Sequence, residues 1–436
     1  ATSESLNGRL GFNWGTESGL EIGIGGTWEE FDLGAQPIVP RATGGNLNYS
    51  SFYARNSSIK EVGEIDSNSQ YLNVKKETDF GSIRSVTSRY DWSLDPNLLD
   101  LNFADSNLAF TAFQLANVNN PIDSTSRIEE SREQLSQELI FDSDPDDENQ
   151  WLLGVFLGFN EADGKADRNY PMPTTERNST YYNFMIPASS LTTYQLENDS
   201  YAIYGNAERN LSDATSVNLG LRLDYVRKKM KRGKVNSSPF TALPSPDNSE
   251  AKEDYLWFTP ALGINHAIRE SVNLFASTSF TGKPGGFSPY VDPDSGMIAA
   301  GVVEIAYSKE RIWSNEVGVL LGEPTDNYNL GLSFYWNKVS DYQFEKPSGG
   351  FDYFVDNAEE AEIKGLEVDF TASPAEGWTF NATYGLSNSK INKHSGSSYN
   401  TAFDPLDATA DPTTAISGPH DFAGKDVPFT PEHTLS

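Results

Sequence analysis

The sequence predicts an all-β chain, a transmembrane antiparallel β-barrel seen in part, and three observations carry that reading. Apolar and polar residues alternate through many stretches, as where Leu366, Val368, Phe370 and Ala372 enclose Glu367, Asp369 and Thr371. Successive strand side chains point to opposite faces, so such a stretch has one apolar and one polar face. Short and long connections alternate along the chain, and tryptophans gather at the ends of the alternating stretches.

The elements follow in order. Leu6, Leu10, Phe12 and Trp14 alternate with polar residues, and Leu20, Ile22, Ile24 and Trp28 do so after the turn GTESG. Residues 70–76 and 81–92 form a pair in which the alternation is blurred. Leu135, Leu139 and Phe141 precede DSDPDDEN, and Trp151, Leu153, Val155, Leu157 and Phe159 follow it. Val217, Leu219, Leu221, Leu223 and Tyr225 alternate with Asn218, Gly220, Arg222 and Asp224. Val272, Leu274 and Ala276 follow the turn IRES, while Val317, Val319 and Leu321 precede GEPTDN and Leu330, Leu332, Phe334 and Trp336 follow it. The stretch around Leu366 turns at SPAEG into Trp378, Phe380, Ala382, Tyr384 and Leu386.

About seven short turns therefore separate connections of mostly about 28 to 43 residues, such as 31–69, 161–200 and 390–432. Compact soluble domains rarely carry one structureless loop above roughly 15 residues. Regular short–long alternation belongs to outer-membrane barrels, with short periplasmic turns and long outer loops. Strands of about 9 to 14 residues are long enough to cross a bilayer when tilted. Trp14, Trp151 and Trp378 flank short turns, and Trp28, Trp92, Trp257 and Trp313 sit where strands meet long loops. Amphipathic rings favour the headgroup level and form girdles at both interfaces. The apolar faces, including Leu219, Leu221, Leu332 and Phe380, are expected against lipid. Gly154, Gly158, Gly220, Arg222, Asp224, Glu367 and Asp369 are expected to line the lumen. A spanning sheet has to close, because hydrocarbon cannot satisfy an open edge. About 14 to 15 strands are counted here, so the reading expects part of a larger barrel, either water-filled or plugged.

Several phrases resemble one family. FTGKPGGFSPY (280–290), QLSQELIFDSDPDDENQWLLGVFLGFNE (134–161) and YAIYGNAERNLSDATSVNLGLRLDY (201–225) are similar to segments of TonB-dependent outer-membrane receptors. So are AEIKGLEVDFTASPAEGWTFNATYGLSN (361–388), SNEVGVLLGEPTDNYNLGLSFYWNKVSDYQ (314–343) and the closing GKDVPFTPEHTLS. Six phrases in family order cover nearly the whole chain, and they are most similar to the iron-complex branch. The resemblance implies a barrel of about 22 strands with an N-terminal plug. It also implies uptake of a scarce chelate, such as a ferric siderophore, with energy from the TonB complex, which pairs with the plug by strand addition. On this reading residues 1–436 are a partial barrel domain, with the plug and the last strands absent. Its environment is the lipid and lipopolysaccharide of the bacterial outer membrane.

Family ligand sites follow no motif, so chemistry nominates the contacts. Aromatic and cationic loop residues suit an aromatic, anionic chelate. The candidates are Phe52, Tyr53 and Arg55; Tyr181, Tyr182 and Phe184; Phe287 and Tyr290; and Phe351 and Tyr353. The run RKKMKRGK, residues 227–234, is expected to emerge at the outer headgroup level. There Lys228, Lys229, Lys231 and Arg232 face lipopolysaccharide phosphates, start a solvated loop, or capture an anionic ligand.

Other classes fit less well. With 62 acidic and 32 basic residues the formal charge is -30, which lacks the basic footprint of a nucleic-acid binder. The absence of cysteine removes disulfide and thiolate chemistry. No secretory signal and no long apolar helix stands out. A catalytic role needs a nucleophile activated by a base, and His266, His394, His420 and His433 are not placed for one. His394 and His420 share a loop, either as metal ligands or as solvated residues. DSDPDDEN lacks the spacing of a calcium loop, and GKPGGF lacks that of a phosphate loop. No cofactor is expected. A diffusion porin and a soluble β-sandwich are the alternatives. A sandwich would show turns at roughly 8 to 12 residue intervals.

Overall fold

The computed structural model describes residues 4–33, 62–100, 125–145, 147–173, 185–237, 247–290, 306–322, 327–348, 352–394 and 422–436. The strands are β1 (Glu4–Gly15), β2 (Leu20–Leu33), β3 (Val62–Thr78), β4 (Gly81–Asp100), β5 (Thr125–Ser143) and β6 (Asn149–Pro173). They continue as β7 (Met185–Ser212), β8 (Thr215–Ser237), β9 (Asp247–Arg269), β10 (Val272–Lys283), β11 (Gly286–Phe287) and β12 (Ala306–Tyr307). The last are β13 (Glu310–Leu321), β14 (Tyr328–Ser348), β15 (Asp352–Ala375), β16 (Trp378–Lys393) and β17 (His433–Leu435).

Fifteen of these form one antiparallel meander in chain order, and β11 and β12 form a separate small pair. β1 and β17 are the two margins of the sheet, so the described strands make an arc of wall rather than a closed ring. The paired stretches of the sequence are all present. Tight turns join β1–β2, β3–β4, β7–β8, β9–β10 and β15–β16 at one end. Glycines serve where these turns demand φ > 0, as at Gly19 (75°) and Gly377 (82°).

Leu219, Leu221 and Leu223 of β8 stand exposed beside Leu256, Phe258 and Leu262 of β9, and one strand beyond β7 so do Leu153, Val155 and Leu157 of β6. A soluble sheet would cover such a face, whereas a barrel wall leaves it to hydrocarbon. Leu332 shares this outward face with its partners Val319 and Val368, and Phe380 is exposed on it. The blurred pair β3–β4 has a physical basis. Its outward face carries Ser85 and Thr87, and Gln137 of β5 binds both: Thr87 Oγ1 donates to Gln137 Oε1 (2.5 Å) and Gln137 Nε2 donates to Ser85 Oγ (3.0 Å). Polar groups facing lipid are satisfied by one another.

Two expectations are corrected. The strands span 12 to 28 residues apart from the short β11, β12 and β17, not 9 to 14. Much of the expected long loops is strand: β6 and β7 pair through Pro173 and Met185, deep inside the supposed loop 161–200. Unbroken cross-strand pairing lets them stand far above the bilayer. The tryptophan girdle also loses two members. Trp92 pairs with Arg132, and Trp257 with Asp224, both on the inward face. Trp14, Trp28, Trp313 and Trp378 remain exposed outward.

Candidate functional site

Within and above the apolar belt, β5 to β8 bring a set of inward residues together. Pairing is continuous, so parity assigns the faces: the even residues of all four strands point into the lumen. Glycines on β6 make the wall thin enough for tyrosines to lie across it. A Cβ on Gly154 would meet the Tyr204 ring at 2.1 Å, and one on Gly164 would meet the Tyr194 ring at 2.2 Å. Tyr204 donates to Glu138 Oε1 (2.6 Å) beneath the Arg222 guanidinium, 5.2 Å from its ring centroid. Higher up, Tyr194 donates to Glu130 Oε1 (2.7 Å).

The segment Pro284–Tyr290, which follows β10, folds into this lumen. Gln343 Nε2 donates to the Pro284 carbonyl (3.0 Å), and Ser288 Oγ accepts the Val355 N–H (3.0 Å). Phe287 and Ser288 are buried. Gly285 and Gly286 are needed for closeness, since a Cβ on either would meet Tyr307 or Tyr255 within 2.4 Å. The segment ends on Tyr290, whose hydroxyl donates to the same Glu130 Oε1 (2.6 Å). Its ring meets Tyr194 edge to face at 5.5 Å, and the Arg168 guanidinium lies 5.5 Å from its centroid. Lys234 Nζ donates to its carbonyl (3.4 Å).

The inward faces here are rich in cations. Arg132, Arg168, Lys228, Arg232 and Lys234 face Glu130 and Glu253, with Asp247 in register opposite Lys234. Arg168, Arg232 and Lys234 are buried, the last two only 4% exposed. Burial holds the Arg168 guanidinium and the Lys228 ammonium below their ordinary pKa values, a cost that an anion would relieve. Burial raises the Tyr290 phenol, with Tyr194 and Glu130 adding to it, so it stays a neutral donor.

The structure places the sequence-predicted residues unevenly. Tyr290 and Phe287 belong to the lumen segment rather than to an outer loop. Phe52, Tyr53, Arg55, Tyr181, Tyr182, Phe184 and Phe351 lie outside the described residues; Tyr353 is the second residue of β15, but its side chain lies outside them too. The basic run is not a loop start, because β8 carries it as strand to Ser237. Its members divide by parity: Lys229 and Lys231 face outward with Arg227, while Lys228 and Arg232 face the lumen. Lys229 pairs with Glu197 (2.5 Å) and Arg227 with Asp254 (3.4 Å). Glu130, Arg168 and Tyr194 were missed, and Lys234 entered only as the end of the basic run; continued alternation past residue 161 was the signal for Arg168.

Two further candidates are held in the structure of the wall. His394 is buried against Phe344 and Phe422, with Nδ1 accepting the Phe422 N–H (3.4 Å) and Nε2 3.8 Å from Asp356. His420 lies outside the described residues. DSDPDDEN starts at the end of β5, where Asp142 binds Ser82 and Arg84, and reaches the first residue of β6.

A membrane-facing apolar girdle around a polar, charged interior defines an outer-membrane β-barrel. Residues 12–436 match the family described as TonB dependent receptor-like, beta-barrel, and the chain belongs to that family. Its fold is similar to the ferric yersiniabactin uptake receptor FyuA from Yersinia pestis: TM-score 0.68, 13% identity, covering 99% of this chain and 55% of that one. The siderophore receptor PiuA from Acinetobacter baumannii gives TM-score 0.61 and 11% identity, covering 99% of this chain and 61% of that one. The ferric-catecholate import receptor Fiu from Escherichia coli K12 gives 0.62 and 12%, again covering 99% and 61%. The chain thus spans little more than half the length of these receptors.

Proposed function

We propose that this wall belongs to an active-transport receptor for a scarce anionic chelate, a ferric siderophore first among the candidates, energised through TonB. The observation that supports it is the upper lumen. A chain of charge -30 concentrates five cations there, three of them buried, beside two tyrosines. Buried guanidinium groups suit carboxylate or catecholate oxygens, which they bind by paired N–H donors. Siderophore receptors share the fold, but the fold alone does not fix the cargo. The TonB contact would be made by a plug segment, not by this wall. Lipopolysaccharide contact, in this reading, is left to the outward Lys229 and Lys231 alone.

The test is binding and uptake of a ferric tricatecholate by the full-length receptor and by Arg168→Gln and Arg232→Gln. Each is expected to weaken binding by about tenfold or more, as for loss of a charge-assisted hydrogen bond. Unchanged binding in both variants would remove the anionic-chelate reading. A steady ion current through the purified receptor in a planar bilayer would favour the diffusion porin.

A further inference from the structure

The lumen segment ends in an arrangement that recognises a ring. Tyr290 is gripped on three sides: the edge of Tyr194, the guanidinium of Arg168 and the carboxylate of Glu130. Tyr194 is itself fixed, because its ring lies over Gly164 and its hydroxyl is bound to Glu130. Of these contacts only the Lys234 bond goes to backbone; the others recognise a hydroxyaryl ring, whoever supplies it.

We propose that Tyr290 fills a binding pocket for a hydroxyaryl ring of the ligand, and that the ligand's ring displaces it. The inference rests on the reading of the upper lumen as the ligand's site and adds a constraint to it. Glu130 accepts a hydrogen bond from the ring's hydroxyl, as it does from Tyr290. A metal-bound catecholate has no such proton, and its charge would oppose the carboxylate. The pocket therefore takes a free phenol, one not coordinated to the metal. Displacement leaves Tyr290 held only through its carbonyl, so binding loosens the segment Pro284–Tyr290 from the β5–β8 wall. Because Tyr290 competes, the apparent affinity is the intrinsic one reduced by the fraction of molecules with the pocket vacant.

That competition gives a metal-free test. The probe is 4-methylphenol, with toluene as the control lacking the hydroxyl, titrated into the full-length receptor in micelles by calorimetry. Affinity for 4-methylphenol should rise from wild type to Tyr290→Phe and again to Tyr290→Ala. The first step should be about tenfold, since the competitor loses a hydrogen bond to a carboxylate. In Tyr290→Ala, toluene should bind about tenfold more weakly than 4-methylphenol, and Glu130→Leu added to that variant should erase the difference. Equal affinity for the two probes overturns the proposal. So does the absence of any gain in Tyr290→Phe, a substitution of the same shape that tests the idea even if Tyr290→Ala does not fold. Because no metal is present, failure here leaves the chelate reading standing, and failure of chelate binding leaves the pocket standing.

Discussion

The lower and upper halves of β8 obey opposite rules. From Val217 to Tyr225 the odd residues are apolar and outward, and the even ones, Asn218, Gly220, Arg222 and Asp224, face the lumen. From Val226 to Met230 the apolar residues are even: Val226 and Met230 are buried inward, the latter 1% exposed, while Arg227, Lys229 and Lys231 point out, and only at Val235 does an apolar residue return to the outward face. Pairing with β7 is unbroken across this point, so no bulge has turned the strand over. What changes is the solvent. Below Tyr225 the outer face meets hydrocarbon; above it the outer face meets water, and the inward face must supply the core. β6 shows the same slip, from outward Leu153–Phe159 to inward Ala162, Gly164 and Ala166. A one-residue shift in the hydrophobic phase thus marks where a strand leaves the membrane.

The largest test of that comparison is topological. Cysteine placed at Ala214, in the β7–β8 turn, should resist an impermeant thiol reagent on intact cells, and cysteine at Lys231 should react. Both belong to one hairpin, so the reverse result would invert the whole assignment. Next in size is charge on the two faces of the belt. Leu332→Arg puts a guanidinium at the lipid and should cost about 2 to 4 kcal/mol near mid-bilayer. Ser333→Arg faces the lumen and should be tolerated. Equal losses of folded, heat-modifiable barrel would mean that the faces are misassigned.

Above the girdle the sensitivity should transfer to the other parity. Met230→Ala removes a fully buried side chain and should cost about 2 kcal/mol, the low end for such truncations, in guanidine unfolding of the reconstituted receptor. Lys229→Ala should cost only about 0 to 1 kcal/mol, the range for exposed ion pairs. If Lys229→Ala proves the costlier, the upper strand is not built like a soluble sheet.

This boundary explains what the sequence could and could not reveal. The belt was legible, because Leu219, Leu332 and Phe380 repeat at period two against a uniform solvent. The upper strands were not, because the apolar phase slips at Val226 and the inward positions of β6 are Ala and Gly, which give little contrast. Tyr290 could be nominated as an aromatic beside a glycine pair. Its partner Glu130, 160 positions away, becomes a neighbour only through the meander. Trp92 and Trp257 misled for a related reason: at a strand's end, sequence position does not reveal face.

The smallest expected effect concerns the outward acids above the girdle. Asp91, Glu133, Glu161 and Glu197 stand directly opposite one another across β4 to β7, and like charges so placed repel. Asp163 is two residues from Glu161 on the same face. Burial, then Glu161 and Glu133, hold its carboxyl above the usual range. A folded pKa raised above the unfolded one means that the native state binds the proton more readily. Its contribution is complete below the unfolded value and is lost as pH rises through the raised one. Glu129, held down by Arg127, and Glu197, held down by Lys229, have the opposite sign, but they protonate below the ordinary carboxylate range. Protonation of Asp163 should therefore relieve the repulsion along this row. Amide protection factors along residues 161–167 should rise slightly from about pH 7 to about pH 5, and less so in Asp163→Asn, which should already be better protected at pH 7. High salt should shrink the difference, because these groups are exposed and screened. If acidification lowers protection there, or Asp163→Asn weakens it at pH 7, repulsion does not govern the outer rim of the upper wall.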